Sequence, residues 1–250
     1  MTATTRTDLT PLLVKILTAG SARDPSEIVV LDVGCGGGRS VSSLLEYGYD
    51  AYGCDLKFKQ WDSCKQQKLV SEARLRLMQT SGEKKTLPFP DGVADVIFTD
   101  QVIEHVVDLD LFFHELARVA RPDAISFHYF PSENKVIEPH VRVPLATKLQ
   151  GRRWVGLWER GPFRTMPRPD WRAKGRDAIC RYLAEETHYR SGGEIVATAK
   201  KYFKHVSWEP KVLLSAMSAR RGSRFLQRVP GAARSFNFLW SRFLVCRHPR

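Results

Sequence analysis

The sequence predicts an α/β fold built on a doubly wound, mostly parallel sheet, and three observations lead there. The apolar run Ile28-Val29-Val30 enters Leu31-Asp32-Val33-Gly34-Cys35-Gly36-Gly37-Gly38-Arg39-Ser40, a glycine-dense turn between a strand and a helix. Short β-rich runs then alternate with helical patterns over the first 130 residues, as parallel strands joined by crossover helices require. The 250 residues suffice for one such domain with an insertion, and a second independent domain is not expected.

Each element follows from its own residues. Residues 9–17 carry apolar side chains at near-helical spacing, closed by Gly20 and Asp24-Pro25. Strand one covers 28–33, and the helix over 38–47 ends at Gly48. A short second strand, 51–55, ends in Asp55; a polar helix over 58–71 and a short third strand over 76–78 follow. The segment Leu87-Pro88-Phe89-Pro90-Asp91-Gly92 reads as a turn and 94–99 as a buried fourth strand. Over 108–121, Leu111, Phe112, Leu116, Val119 and Ala120 form a helical stripe, with Asp108 or Asp110 as cap and Pro122 as stop. A fifth strand occupies 124–130. Ligands of such sheets sit outside the carboxyl ends of the strands.

Beyond Pro131 the pattern changes. Arg and Lys interleave with Trp154, Trp158, Phe163 and Trp171, a composition too aromatic for disorder. The expected organisation is a ligand-binding half over 1–131, an inserted, partly helical, basic and aromatic cap over 132–192 between strands five and six, and completion of a seven-stranded sheet over 193–250. In that last part 202–208 reads as strand, 212–219 as helix and 238–245 as the final strand.

The net charge of +12 is uneven: residues 1–130 hold 14 Lys and Arg against 18 Asp and Glu, residues 131–250 hold 25 against 9. The basic half suggests an anionic partner, whether an acidic or phosphorylated substrate, RNA or a membrane surface, against the plain alternative of a solvated basic face. Five cysteines without a CxxC pair argue against a disulfide framework or structural zinc, and point to a reducing, cytoplasmic setting. Neither a signal peptide, a spanning helix nor a metal cluster is expected from the sequence.

The glycine turn lets a ligand approach the main chain at a helix N-terminus. It lacks the Lys-Ser/Thr ending of a phosphate-binding loop, and Asp32 suits a cationic or hydroxyl-bearing ligand. Further pieces follow in order: Asp55 at the end of strand two; Gly82-Glu83 before Thr86-Leu87-Pro88-Phe89; Ala94 to Thr99 with Asp100-Gln101-Val102-Ile103-Glu104-His105-Val106; and Glu-Leu-Ala-Arg-Val at 115–119. With these, residues 26–131 resemble class I S-adenosylmethionine (SAM) dependent methyltransferases of the type found in ubiquinone and menaquinone biosynthesis. Two departures stand out: Arg121-Pro122-Asp123-Ala124 replaces the usual Pro-Gly-Gly turn, and Glu83 stands where many relatives have Asp.

The resemblance implies a Rossmann-like sheet and SAM as cofactor, leaving as S-adenosylhomocysteine. It implies Gly34 and Gly36 against the amino acid part with Asp32 at its ammonium, Asp55 at the ribose hydroxyls, Glu83 near the adenine amine and Gln101 by the methionine part, with Cys35, Leu56 and Asp100 also cofactor-binding. Methyl transfer to a hydroxyl needs a proton acceptor at the strand ends, and His140, His105 and His128 are the candidates, with Glu104 orienting a histidine, contacting the acceptor or capping a helix. Of these, His128, inside strand five, reads rather as a packed core residue. Tyr189-Arg190 could bind an anionic acceptor group or be a surface pair.

The leading expectation is an O-methyltransferase for a small-molecule or glycan-like acceptor, acidic or phosphorylated. The alternatives are an RNA methyltransferase using the basic half and a SAM-binding scaffold without turnover. Peripheral membrane contact through Phe236, Phe238, Leu239, Trp240 and Phe243 competes with a terminal core strand as the reason for those residues.

Overall fold

The structure is a computed structural model that describes residues 10–19, 22–81, 84–160, 166–212, 214 and 231–250. Seven strands form one sheet in the order β3-β2-β1-β6-β7-β9-β8. They are β1 (Val29–Val33), β2 (Asp50–Asp55), β3 (Leu75–Leu77), β6 (Ala94–Asp100), β7 (Ala120–Pro131), β8 (Phe203–Trp208) and β9 (Ser241–Pro249). Strand β1 pairs in parallel with β2 and β6, and β6 with β7, whereas β9 runs antiparallel to both β7 and β8. A separate antiparallel pair, β4 (Gln79–Ser81) and β5 (Lys84–Thr86), was not foreseen.

The chain moves outward from β1 to β2 and β3, then returns to place β6 on the other side of β1. That reversal opens a crevice at the carboxyl ends of β1 and β6. Alternation along the central strands fills both faces of the sheet. Leu31, Val33 and Ile97 pack with Phe113 and Leu116 of α4 (Leu109–Val119) and Ile195 of α8 (Gly192–Tyr202). Val30, Val96 and Phe98 pack with Leu13 and Val14 of α1 (Thr10–Leu17) and with Val41 and Leu44 of α2 (Arg39–Glu46). Asp108, one of the two caps expected, caps α4 by accepting the Leu111 N–H at 2.9 Å, and Asp110 lies in the first turn.

Between β7 and α8 the helices α5 (Arg152–Arg160), α6 (Pro169–Lys174) and α7 (Arg176–Glu185) gather a small core of their own, with Val141, Val143, Ala146, Val155, Ile179 and Leu183 fully buried.

Three expectations need correction. The polar helix starts later: α3 is Ser63–Ser71, capped by Asp62, because the chain from Phe58 first runs back along the glycine turn, where the Lys59 N–H donates to Gly36 O at 3.1 Å. The final strand does not begin at 238. Residues Ala232–Leu239 form a helix, α9, which leaves Phe238, Leu239 and Trp240 exposed, and only Phe243 of the aromatic run is core. Helix α8 was missed although Ser191, accepting the Glu194 N–H at 3.1 Å, is a legible cap. Of the helix expected over 212–219, only Val212 and Leu214 lie within the described residues.

Candidate active site

Strand β1 delivers the glycine turn to the crevice. Gly34 has φ +85° and Gly36 φ +58°, values that penalise any residue with a Cβ. A Cβ on Gly34 would lie 2.3 Å from Val102 Cγ2, so the missing side chain lets the segment after β6 close against the turn. The Gly34 and Cys35 N–H groups donate to Cys54 O at 2.8 and 3.0 Å. At the end of β2, Asp55 Oδ2 accepts the Gly36 N–H at 2.8 Å, which ties the turn to the acid expected at the ribose.

Around this turn Asp32 is buried, Leu56 and Asp100 are exposed, and Gln101 takes a left-handed conformation, φ +58°, with its N–H donated to Tyr129 O at 2.8 Å. A non-glycine residue held there is the kind of local strain found at binding sites. Burial pushes the Cys35 thiol far up, so it serves as packing. The turn can accept a ligand: a Cβ on Gly36 would meet only Lys59 Cδ, at 3.7 Å. Glu83 lies outside the described residues.

Beside the turn, three segments converge. A 3-10 turn after β6, Ile103–His105, supplies Glu104 and His105; the loop after β7 supplies Glu138 and His140; the link from α7 to α8 supplies Glu186 and Tyr189. His105 Nε2 and His140 Nε2 are 3.3 Å apart, and His140 Nε2 is 4.0 Å from Glu104 Oε1. One ligating atom from each of Glu104, His105 and His140 lies within 4.8 Å of the others, the one grouping of this kind found among the described residues.

Glu104 is 2% exposed and neither carboxylate oxygen receives a hydrogen bond from another residue. Burial pushes its carboxyl up to about 8, and the nearby charges of Asp100 and Glu138 add to that rise. Glu138 is buried too, which opposes ionisation, yet hydrogen bonds keep its carboxyl below the ordinary range. It accepts from His140 Nδ1 at 2.7 Å, Tyr189 Oη at 2.7 Å, and the His140 and Val141 N–H groups at 2.8 and 2.6 Å. His105 is pulled down by burial, with His140 and Lys59 adding to it.

The structure thus brings His140, His105 and Glu104 together. What the sequence reading missed is Glu138, whose Glu-x-His spacing with His140 was available as a signal, and the three-residue donor group itself, where no metal cluster was expected. Tyr189 and Arg190 do not form an anion site. Tyr189 donates to Glu138, and the Arg190 guanidinium is taken up by Val106 O and Val107 O, both at 2.6 Å, and by Glu194. His128 is fully buried between Thr99 and Ser126, as its place inside a strand suggested. A cavity of about 1030 Å³ lies farther along the sheet, lined by Trp208, Lys211, Phe238, Leu239 and Arg242 among others, and neither the glycine turn nor Glu104, His105, Glu138 or His140 lines it.

The methyltransferase-domain family matches residues 31–127, the span from β1 to β7 that builds the crevice. Residues 31–127 belong to the SAM-dependent methyltransferases. The chain is 32% identical over 96 residues to norajmaline N-methyltransferase of Rauvolfia serpentina, covering 38% of this chain and 33% of that protein. It is 27% identical over 122 residues to ubiquinone biosynthesis O-methyltransferase of Colwellia psychrerythraea, covering 49% and 48%. The chain thus spans a third to about half the length of these relatives. Among solved structures, phosphoethanolamine N-methyltransferase 2 of Haemonchus contortus superposes with TM-score 0.52 at 14% identity, over 96% of this chain and 52% of that one. That likeness shows the fold alone.

Proposed function

We propose that the chain is a SAM-dependent methyltransferase that transfers a methyl group to an oxygen of a small-molecule acceptor. The observation carrying this reading is the junction of the glycine turn with the Glu104–His105–His140 cluster. Val102, two residues before Glu104, packs on Gly34, and Lys59, which lies along Gly36, acts electrostatically on His105.

SAM, when bound, would supply a methyl group on a sulfonium: an electron pair of the acceptor oxygen forms the new bond to that methyl while the broken S–C bond's pair stays on sulfur, which departs as S-adenosylhomocysteine. The chain's own residues hold and orient. Asp55 fixes the Gly36 amide and offers a carboxylate at the end of β2, and the turn presents bare main chain. A hydroxyl acceptor must also lose its proton, and two imidazoles and a carboxylate at the strand ends supply acceptors for it. Alignment of the acceptor with the methyl contributes most of the remaining rate.

The excess of basic residues over 131–250 supports an acidic or phosphorylated acceptor. Five free cysteines support action in a reducing compartment such as the cytoplasm. Calorimetry of SAM with the purified chain tests the core of the reading. One binding site is expected, weakened at least about tenfold by Asp55→Ala, a loss of ~1.4 kcal/mol. Absence of binding, or equal affinity in the variant, would overturn it.

A further inference from the structure

We propose that Glu104, His105 and His140 form a binding site for a divalent transition-metal ion of the Zn²⁺ or Mn²⁺ kind. The inference deepens the methyltransferase reading by naming what occupies the polar cluster.

Hydrogen bonding fixes both imidazoles in the same tautomer. His105 Nδ1 lies 2.5 Å from the backbone oxygen of Glu186, which can only accept, so this nitrogen carries the proton. His140 Nδ1 faces the Glu138 carboxylate at 2.7 Å and must donate as well. In the neutral rings both Nε2 atoms are then bare lone pairs, and they face each other at 3.3 Å. Two lone pairs at that distance repel, and a cation between them removes the conflict.

A shared proton would serve the two nitrogens but would leave Glu104 as it is, buried with neither oxygen hydrogen-bonded by another residue. A metal ion takes it as third ligand. With bonds of about 2.1 Å, two nitrogens 3.3 Å apart subtend about 100° at the ion, between octahedral and tetrahedral angles. Glu104 Oε1 lies 4.0 Å from His140 Nε2 and the three ligating atoms lie within 4.8 Å of one another, so the carboxylate needs to swing inward by roughly an ångström to reach the same ion.

The surroundings also suit a cation. Glu138 and the Glu186 carbonyl each hold the far nitrogen of a ligating histidine, the arrangement that orients imidazoles on metals. The charged groups acting on the site are Asp100, Glu138 and Glu186 against Lys59 and Lys135. Two imidazoles with one carboxylate favour Zn²⁺, Mn²⁺ or Fe²⁺ over Mg²⁺, which prefers an all-oxygen shell. Three protein ligands leave a position open for water or an acceptor oxygen. With the ion bound, the histidines and Glu104 act as its ligands instead of as bases, and the acceptor hydroxyl loses its proton to water because the ion lowers its pKa.

The test is titration of the chelator-treated full chain with Zn²⁺ by calorimetry, and with Co²⁺ followed by visible absorption. One saturable site is expected. Glu104→Gln and His140→Gln should each weaken Zn²⁺ at least tenfold, and the positioning variant Glu138→Gln by about 10–100-fold. His205→Ala, which breaks a surface histidine pair with His248, should leave it unchanged. Failure to bind either ion overturns the proposal, as does Zn²⁺ affinity left undiminished by Glu104→Gln or His140→Gln, or abolished by His205→Ala. SAM affinity measured in the same samples separates the two readings: His140→Gln that still binds SAM is folded and has lost only the ion. Wild-type chain that binds Zn²⁺ but no SAM would instead overturn the methyltransferase reading.

Discussion

Gly34→Ala should be among the most damaging single-methyl changes in the chain, and its cost can be worked from two features. Alanine at φ +85° pays about 1–2 kcal/mol for the left-handed conformation. Its methyl would also sit 2.3 Å from Val102 Cγ2, which must retreat by about an ångström in a packed crevice, for a further ~1–3 kcal/mol. Gly36→Ala pays the first cost alone, since only the flexible Lys59 side chain lies near, at 3.7 Å. Urea unfolding should therefore rank Gly34→Ala below Gly36→Ala by about 1–3 kcal/mol. Adding Val102→Ala to Gly34→Ala should restore at least about 1 kcal/mol relative to additivity, because it removes the clashing methyls. Equal destabilisation of the two glycine variants, or strict additivity in the double variant, would refute the reasoning.

Three further outcomes follow from the same contacts. His128 is pushed down to about 3 by complete burial, so it is neutral in the native state while the unfolded chain titrates near 6.5. Below that pH the unfolded chain binds more protons, and stability should fall with falling pH by up to about 1.4 kcal/mol per unit until pH 3 is approached. Urea midpoints between pH 7 and 5 should show a smaller slope in His128→Gln, and identical slopes would contradict the assignment. Arg118 binds the buried Glu115 through two nitrogens at 2.8 Å and the Leu87 and Phe89 carbonyls at 3.0 and 2.9 Å. Arg118→Ala should cost roughly 3 kcal/mol in denaturant unfolding, partly recovered by adding Glu115→Gln, because the loss is mainly an unpaired buried carboxylate. Asp55→Asn keeps one oxygen for the Gly36 N–H and should weaken SAM binding in calorimetry less than Asp55→Ala does.

The half of the fold that was legible in the sequence is the half written in local signals. The glycine turn, the caps and the buried strands of residues 28–131 are each set by neighbours within a few positions. Residues 238–240 misled because a short apolar run reads the same in a helix and in a buried strand. Here Asn237 Oδ1 accepts the Phe243 N–H at 3.2 Å at the helix-to-strand turn, a contact periodicity does not reveal. The polar cluster was legible only as single residues. Glu104 and His105 are adjacent, but His140 lies 35 residues on, and it arrives beside them because β6 and β7 pair in parallel, Thr99 opposite His128. Burial of Glu104 without a hydrogen-bonding neighbour depends on the residues packed round it after folding, which spacing along the chain cannot express.

The central claim is methyl transfer, and the most direct measurement follows labelled methyl from SAM into separated small-molecule, glycan and RNA fractions. Label is expected in an acidic small-molecule or glycan fraction with wild-type chain, and its loss with Asp55→Ala. Label confined to RNA would contradict the proposed acceptor, and no transfer to any fraction at saturating SAM, or equal transfer by the variant, would contradict the claim itself.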